Sequence, residues 1–172
     1  MINRFRKGVA VLLACVALTP AHAQDAGIDV EQEYAAVHAA CLKYLNGDEN
    51  AVAALADAGF TVTKRGKRLT ALKSGSISVP MNRRPEVSIV IGKSIPMNAQ
   101  ATCQIYVSRI GKPLAEMLNI TSTVKIAEIG FTPLPDNGIT IAKFARGDEL
   151  WAIDAVFQEQ IGALDQTISR MK

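Results

Sequence analysis

The sequence predicts an α+β domain: one antiparallel sheet of about six to eight strands, with N-terminal helices and a C-terminal helix packed on one face. Three observations carry this. Residues 101–109 (ATCQIYVSR) alternate Cys103, Ile105 and Val107 with Thr102, Gln104, Tyr106 and Ser108, the period of two of a half-buried strand. Val30, Tyr34, Val37, Cys41, Tyr44 and Leu45 form one stripe at helical spacing. Short turns separate most of the strand-like runs, which favours antiparallel pairing with helices on one side.

Residues 24–28 read as a loose leader. Asp29 can cap the first helix, with Gln32 three residues on completing a capping-box-like pair. Asn46-Gly47 ends that helix. Asp48 caps a shorter helix at 49–58, with Val52, Leu55 and Ala56 facing inward and Gly59 as its stop. Strands are expected at 60–64, 68–73, 76–81 and 87–91, divided by turns at Arg65-Gly66 and Ser74-Gly75 and a break at Arg83-Arg84-Pro85. Residues 92–98 form a loop into the 101–109 strand.

Pro113 suits the first turn of a helix whose apolar face is Leu114, Met117 and Leu118. A strand at 123–131 follows, then the turn TPLPDNG at 132–138. Two more strands are expected at 139–145 and 150–157. Ile161, Leu164, Ile168 and Met171 sit at helical spacing and predict a terminal helix. No internal repeat or low-complexity tract is visible.

The first 23 residues read as an export signal. Arg4, Arg6 and Lys7 form a basic start, residues 9–18 (VAVLLACVAL) an apolar run, and Ala21-His22-Ala23 a small-residue cleavage site. The apolar run is too short to span a bilayer. Leu12-Leu13-Ala14-Cys15 has the outline of a lipobox, which would place a lipid anchor on Cys15. Leu13 suits that motif poorly and the A-x-A site lies downstream, so cleavage after Ala23 is expected. The mature chain is then a single exported domain at 24–172 with a periplasmic location and no transmembrane segment.

Cleavage removes the whole net charge of +3, leaving 16 basic and 16 acidic residues. The basic balance of the full sequence therefore gives no reason to expect nucleic-acid binding. Charge is nevertheless ordered along the chain. Residues 24–58 hold seven acids and one base, and residues 59–112 hold ten bases and one acid. The middle block gathers Lys64, Arg65, Lys67 and Arg68 at one turn and Arg83 and Arg84 at the next break. Such clusters can bind an anion or an acidic partner. Against this, charge runs are usually solvated faces, or here a match to the acidic first helices.

Cys41 and Cys103 are the two cysteines of the mature chain, and both fall on inward rows. In an exported protein they are expected to form a disulfide. His38, three residues before Cys41, offers a Cys–His pair, but a catalytic thiol needs exposure, and His38 reads as a surface or boundary residue. One histidine and two cysteines fall short of a structural zinc set, and no metal or cofactor is expected. Nucleotide and nucleophile-elbow glycine motifs are absent. Asp154, the acid inside the 150–157 strand, should lie on the face opposite Trp151 and Phe157; a carboxylate hydrolase would have to be built around it.

These readings favour a non-enzymatic domain that binds another envelope protein, as an inhibitor, immunity or accessory protein does. A carrier of a small anionic ligand at the basic turns is the alternative, and a carboxylate hydrolase ranks third.

Overall fold

The computed structural model describes residues 28–66, 68–74, 86–91, 98–135 and 141–172. Helix α1 (Val30–Leu45) is followed by strands β1 (Thr61–Arg65), β2 (Arg68–Ser74), β3 (Glu86–Ile91) and β4 (Ala99–Ser108). Helix α2 (Lys112–Glu128) is followed by β5 (Thr132–Pro133), β6 (Ala142–Arg146), β7 (Glu149–Gln158) and β8 (Ala163–Met171). The eight strands of the described residues form one antiparallel sheet in the order β1-β2-β3-β4-β8-β7-β6-β5. The fold is thus a helix and a four-strand meander, stated twice, with the two meanders joined along β4 and β8. The second meander crosses the sheet in the opposite direction to the first, so that the last strand of each lies at the centre, although the sequence shows no repeat.

Both helices lie on one face. Helix α1 crosses β3 and β4, and α2 crosses β7 and β8. Asp29 caps α1 by accepting from Gln32 N at 3.1 Å, as its spacing predicts. The stripe of Tyr34, Val37, Cys41 and Leu45 is buried against Ile89, Cys103, Ile105 and Ile168. A Cys41–Cys103 disulfide links α1 to β4, with 5.8 Å between Cα atoms and 62 residues between the two positions. Arg109 adopts a left-handed φ of +63°, which ends β4 and turns the chain toward α2.

Four expectations need correction. The terminal helix is a strand, β8. Its inward row is Leu164, Gln166, Ile168 and Arg170, opposite Val107, Ile105, Cys103 and Ala101. Leu164 and Ile168 fit a helical and an alternating pattern equally well, and the two polar members hid the alternation. Nor is 123–131 a strand: α2 continues to Glu128. Its β-branched run suggested a sheet. In the helix, Thr121 and Thr123 donate to the carbonyls of Met117 and Asn119 at 2.9 and 3.2 Å, which places these hydroxyls without breaking the turn.

The helix expected at 49–58 is only a 3-10 turn at Ala53–Ala56; Val52 and Leu55 are buried, but Ala56 is exposed. His38 is not at the surface; it is buried at 3% exposure. The strand expected at 76–81, the export signal at 1–23 and all but the last residue of the leader expected at 24–28 lie outside the described residues.

Candidate protein-binding surface

With both helices on one side, alternation assigns the other face of the sheet. Cys103, Ile105 and Val107 point to the helices, so Thr102, Gln104, Tyr106 and Ser108 point away. In register beside them stand Ser88 and Val90 of β3, and Asp165, Thr167 and Ser169 of β8. Farther out are Asp154 and Val156 of β7, and Arg65 and Arg68 of β1 and β2. Among the described residues no helix covers this face. Its side chains are mixed: hydroxyls, amides and charges stand beside Val90, Ala152 and Val156, and Ser88, Thr102 and Ser169 in the middle of the face are buried.

The Arg65–Arg68 end of the face is basic, whereas toward β8 and β7 it carries Asp165 and Asp154, with Lys143 of β6 one strand beyond. Across β4 and β8, Gln104 Nε2 donates to both oxygens of Asp165, at 2.9 and 3.1 Å. Asp154 lies one strand farther on and is exposed, on the face opposite Trp151 and Phe157 as its position predicts. At the other end Arg65 and Arg68 are direct cross-strand partners at the tip of the β1–β2 hairpin, and both are exposed. Lys64 is exposed beside them, on the helix side of the edge strand.

The structure therefore brings Lys64, Arg65 and Arg68 together at one tip. Lys67, Arg83 and Arg84 lie outside the described residues. The chain enters β3 at Glu86, beside Ser74, which is the end of β2 away from the Arg65–Arg68 tip. One base of the middle block does answer the acidic first helix. Lys73 Nζ meets Glu33 Oε1 at 2.5 Å, donates to Ala58 O at 3.0 Å and sits over the Phe60 ring. No acid among the described residues pairs with Lys64, Arg65 or Arg68.

No protein-family model, curated protein or solved structure matches this chain. Among the described residues there is no group of three His, Cys, Asp or Glu placed to hold a metal ion, and no helix long and apolar enough to cross a membrane.

A polar seam that the sequence reading missed runs between the helices and the sheet. The Tyr34 hydroxyl reaches Gln166 Oε1 at 2.7 Å and Leu118 O at 3.1 Å, and Gln166 Nε2 donates to Asn119 Oδ1 at 3.0 Å. His38 stacks beside Tyr34, and its Nε2 lies 2.7 Å from Ser122 Oγ. Burial pushes His38 down to about 4, helped by the nearby charge of Lys125, and burial raises Tyr34. A serine beside a histidine has the outline of a nucleophile and its base. Here Ser122 is 0% exposed, so no substrate reaches its oxygen. The pair satisfies two buried polar groups, and Cys41, its thiol used in the disulfide, offers no nucleophile.

Proposed function

We propose that this chain is a non-enzymatic protein-binding domain of the cell envelope, of the inhibitor, immunity or accessory kind. It is exported to the periplasm behind residues 1–23 and binds an acidic protein partner at the basic end of its open sheet face. One observation carries the reading: Arg65 faces Arg68 across the β1–β2 hairpin, both exposed, with no acid among the described residues to pair with them. Like charges directly opposite destabilise a strand pair. An acidic surface laid over the tip turns that repulsion into attraction and steers the approach of the partner.

Gln104 and Tyr106, half-buried at the middle of the same face, give the partner further hydrogen-bonding groups. The Cys41–Cys103 disulfide agrees with an oxidising compartment. The test is capture from envelope extract by tagged 24–172. A stoichiometric protein should be retained at low salt. It should be released as ionic strength rises and the screening length falls from about 10 Å at 0.1 M to about 3 Å at 1 M. Retention that is indifferent to salt would move the binding surface away from the arginines.

A further inference from the structure

The two edges of the sheet are built differently. At one edge β5 has two residues and ends in Pro133, which has no N–H to offer a further strand. At the other edge β1 has five residues, Thr61–Arg65, and pairs with β2 without a bulge. Thr61, Val62 and Thr63 are β-branched, and all of β1 except Val62 is exposed, so this edge is both well formed and open to solvent. Among the described residues no strand pairs with its outer side.

That outer side carries free backbone groups. Arg65 and Arg68 are cross-strand partners with two residues between them, the closing pair of a tight hairpin, and such a pair exchanges backbone bonds. Alternation then turns the N–H and C=O of Val62 and Lys64 away from β2. An edge of this kind is a template for one more strand.

The side chains of β1 decide which strand fits. Thr61, Thr63 and Arg65 point to the open face; Val62 and Lys64 point to the helix side, where Val62 is half-buried against the core. Lys64 and Arg65 are therefore neighbours on opposite faces, both exposed, and neither meets an acid among the described residues. A surface laid over the open face reaches Arg65 and Arg68 but misses Lys64. A strand beside β1 places side chains on both faces and reaches Lys64 and Arg65 together. Basic side chains also guard an edge against a second copy, which would bring the same charges to it, whereas they attract an acidic strand.

We propose that β1 takes up an extended acidic segment of a protein partner as one further antiparallel strand. The residues opposite Arg65 and Lys64 are acidic, and the one opposite Val62 is apolar and extends the core at that corner. Main-chain bonds to Val62 and Lys64 hold the segment, and the two ion pairs select it. This mode of binding rests on the hairpin tip being the contact for an acidic protein, and it names the part of that protein that docks.

The probe is the blocked peptide acetyl-EETVT-amide, whose residues in antiparallel order face Arg65, Lys64, Thr63, Val62 and Thr61. Its binding to 24–172 at low salt is followed through the protein's backbone amides, with an expected dissociation constant on the order of 1 mM. With peptide at about ten times that constant, the amides of Val62 and Lys64 should exchange with solvent about tenfold more slowly; those of Thr63 and Arg65, already bonded to β2, should not change. Acetyl-QQTVT-amide lacks the charges and should bind about fivefold more weakly, the scale of two cross-strand ion pairs. An EETVT peptide N-methylated at the residues facing Lys64 and Val62 keeps its charge but loses the main-chain bonds, and should give no protection. Equal, salt-sensitive binding by the N-methylated peptide overturns strand addition and leaves the acidic contact at the tip standing. Equal protection by the neutral peptide overturns the selection by charge and the acidic partner alike. No protection by any peptide overturns the edge as a binding site, and capture from envelope extract then judges the tip by itself. Protection that grows with protein concentration in the absence of peptide assigns the edge to a second copy and also overturns the proposal.

Discussion

His38 Nε2 lies 2.7 Å from Ser122 Oγ, and the two residues are 3% and 0% exposed. This contact joins α1 to α2 and makes their packing sensitive to acid. The folded protein holds His38 down to about 4, against 6.5 for the free side chain, because burial disfavours its charged form and Lys125 repels it. A lowered pKa means that the unfolded chain takes up the proton first. The stability is therefore complete above pH 6.5 and drains away as pH falls toward 4. Between pH 7 and pH 5 the loss from this group should be about 2 kcal/mol. His38→Gln should remove that part of the slope. Urea unfolding of both proteins at the two pH values gives the comparison, and parallel losses would mean that His38 does not titrate as its burial requires.

The disulfide ties the first helix to the strand at the centre of the sheet. Thiol titration of denatured, unreduced protein should find neither Cys41 nor Cys103 free. Replacing both by alanine avoids burying a hydroxyl at positions that are 0% exposed. The double variant should lose about 2–5 kcal/mol, the scale for native disulfides in small secreted domains. Unchanged stability would show that helix packing alone holds α1 in place.

Gly162 closes the β7–β8 hairpin with φ +60°, and a Cβ there would meet the Ile110 carbonyl oxygen at 2.8 Å. That carbonyl has little room to move, since Ile110 N donates to Gly162 O at 3.0 Å in the same contact. Gly147 has a similar φ of +56°, but a Cβ would meet nothing within 4 Å. Gly147→Ala should cost about 1 kcal/mol for the backbone conformation alone. Gly162→Ala should cost more, about 2–3 kcal/mol, because steric contact is added to strain. Equal melting temperatures for the two variants would discount the Ile110 contact.

The same hairpin marks the limit of what the sequence carries. Strands β3 and β4 were legible because their inward rows, Val87 to Ile91 and Cys103 to Val107, contain no polar residue but alternate cleanly or run apolar throughout. The second half of α2 and all of β8 were not, because Ser122, Gln166 and Arg170 occupy inward positions. Their satisfaction depends on Tyr34, His38 and Leu45, more than 80 residues away in the chain. A polar residue reads as exposed until its partner is known. The basic cluster was legible at Lys64, Arg65 and Arg68 because a hairpin makes sequence neighbours spatial ones. Which of them faced the open side needed the register.

That register yields the last prediction. Arg65 and Arg68 oppose each other on the open face, and both are exposed. Arg65→Glu replaces a repelling cross-strand pair with an attracting one. If the arginines served only the fold, the variant would be better or neutral in every assay. Direct opposite-charge pairs on a strand surface contribute roughly 0.2–1 kcal/mol, so the variant should melt at the same temperature or slightly higher. Binding of the acidic partner should move the other way. The substitution removes one attracting charge and adds a repelling one at the contact, so affinity should fall, with the larger change in association rate if the contact lies at the rim. Raising salt should narrow the gap between wild type and variant, since both effects are screened. The double change Arg65→Glu/Arg68→Glu restores like-charge repulsion within the hairpin and should bind more weakly still. Stability that rises while affinity falls separates a binding role from a structural one. A variant that gains stability and keeps full affinity at low salt would remove the hairpin tip from the interface, leaving Gln104 and Tyr106 at the middle of the same face as the positions to change next.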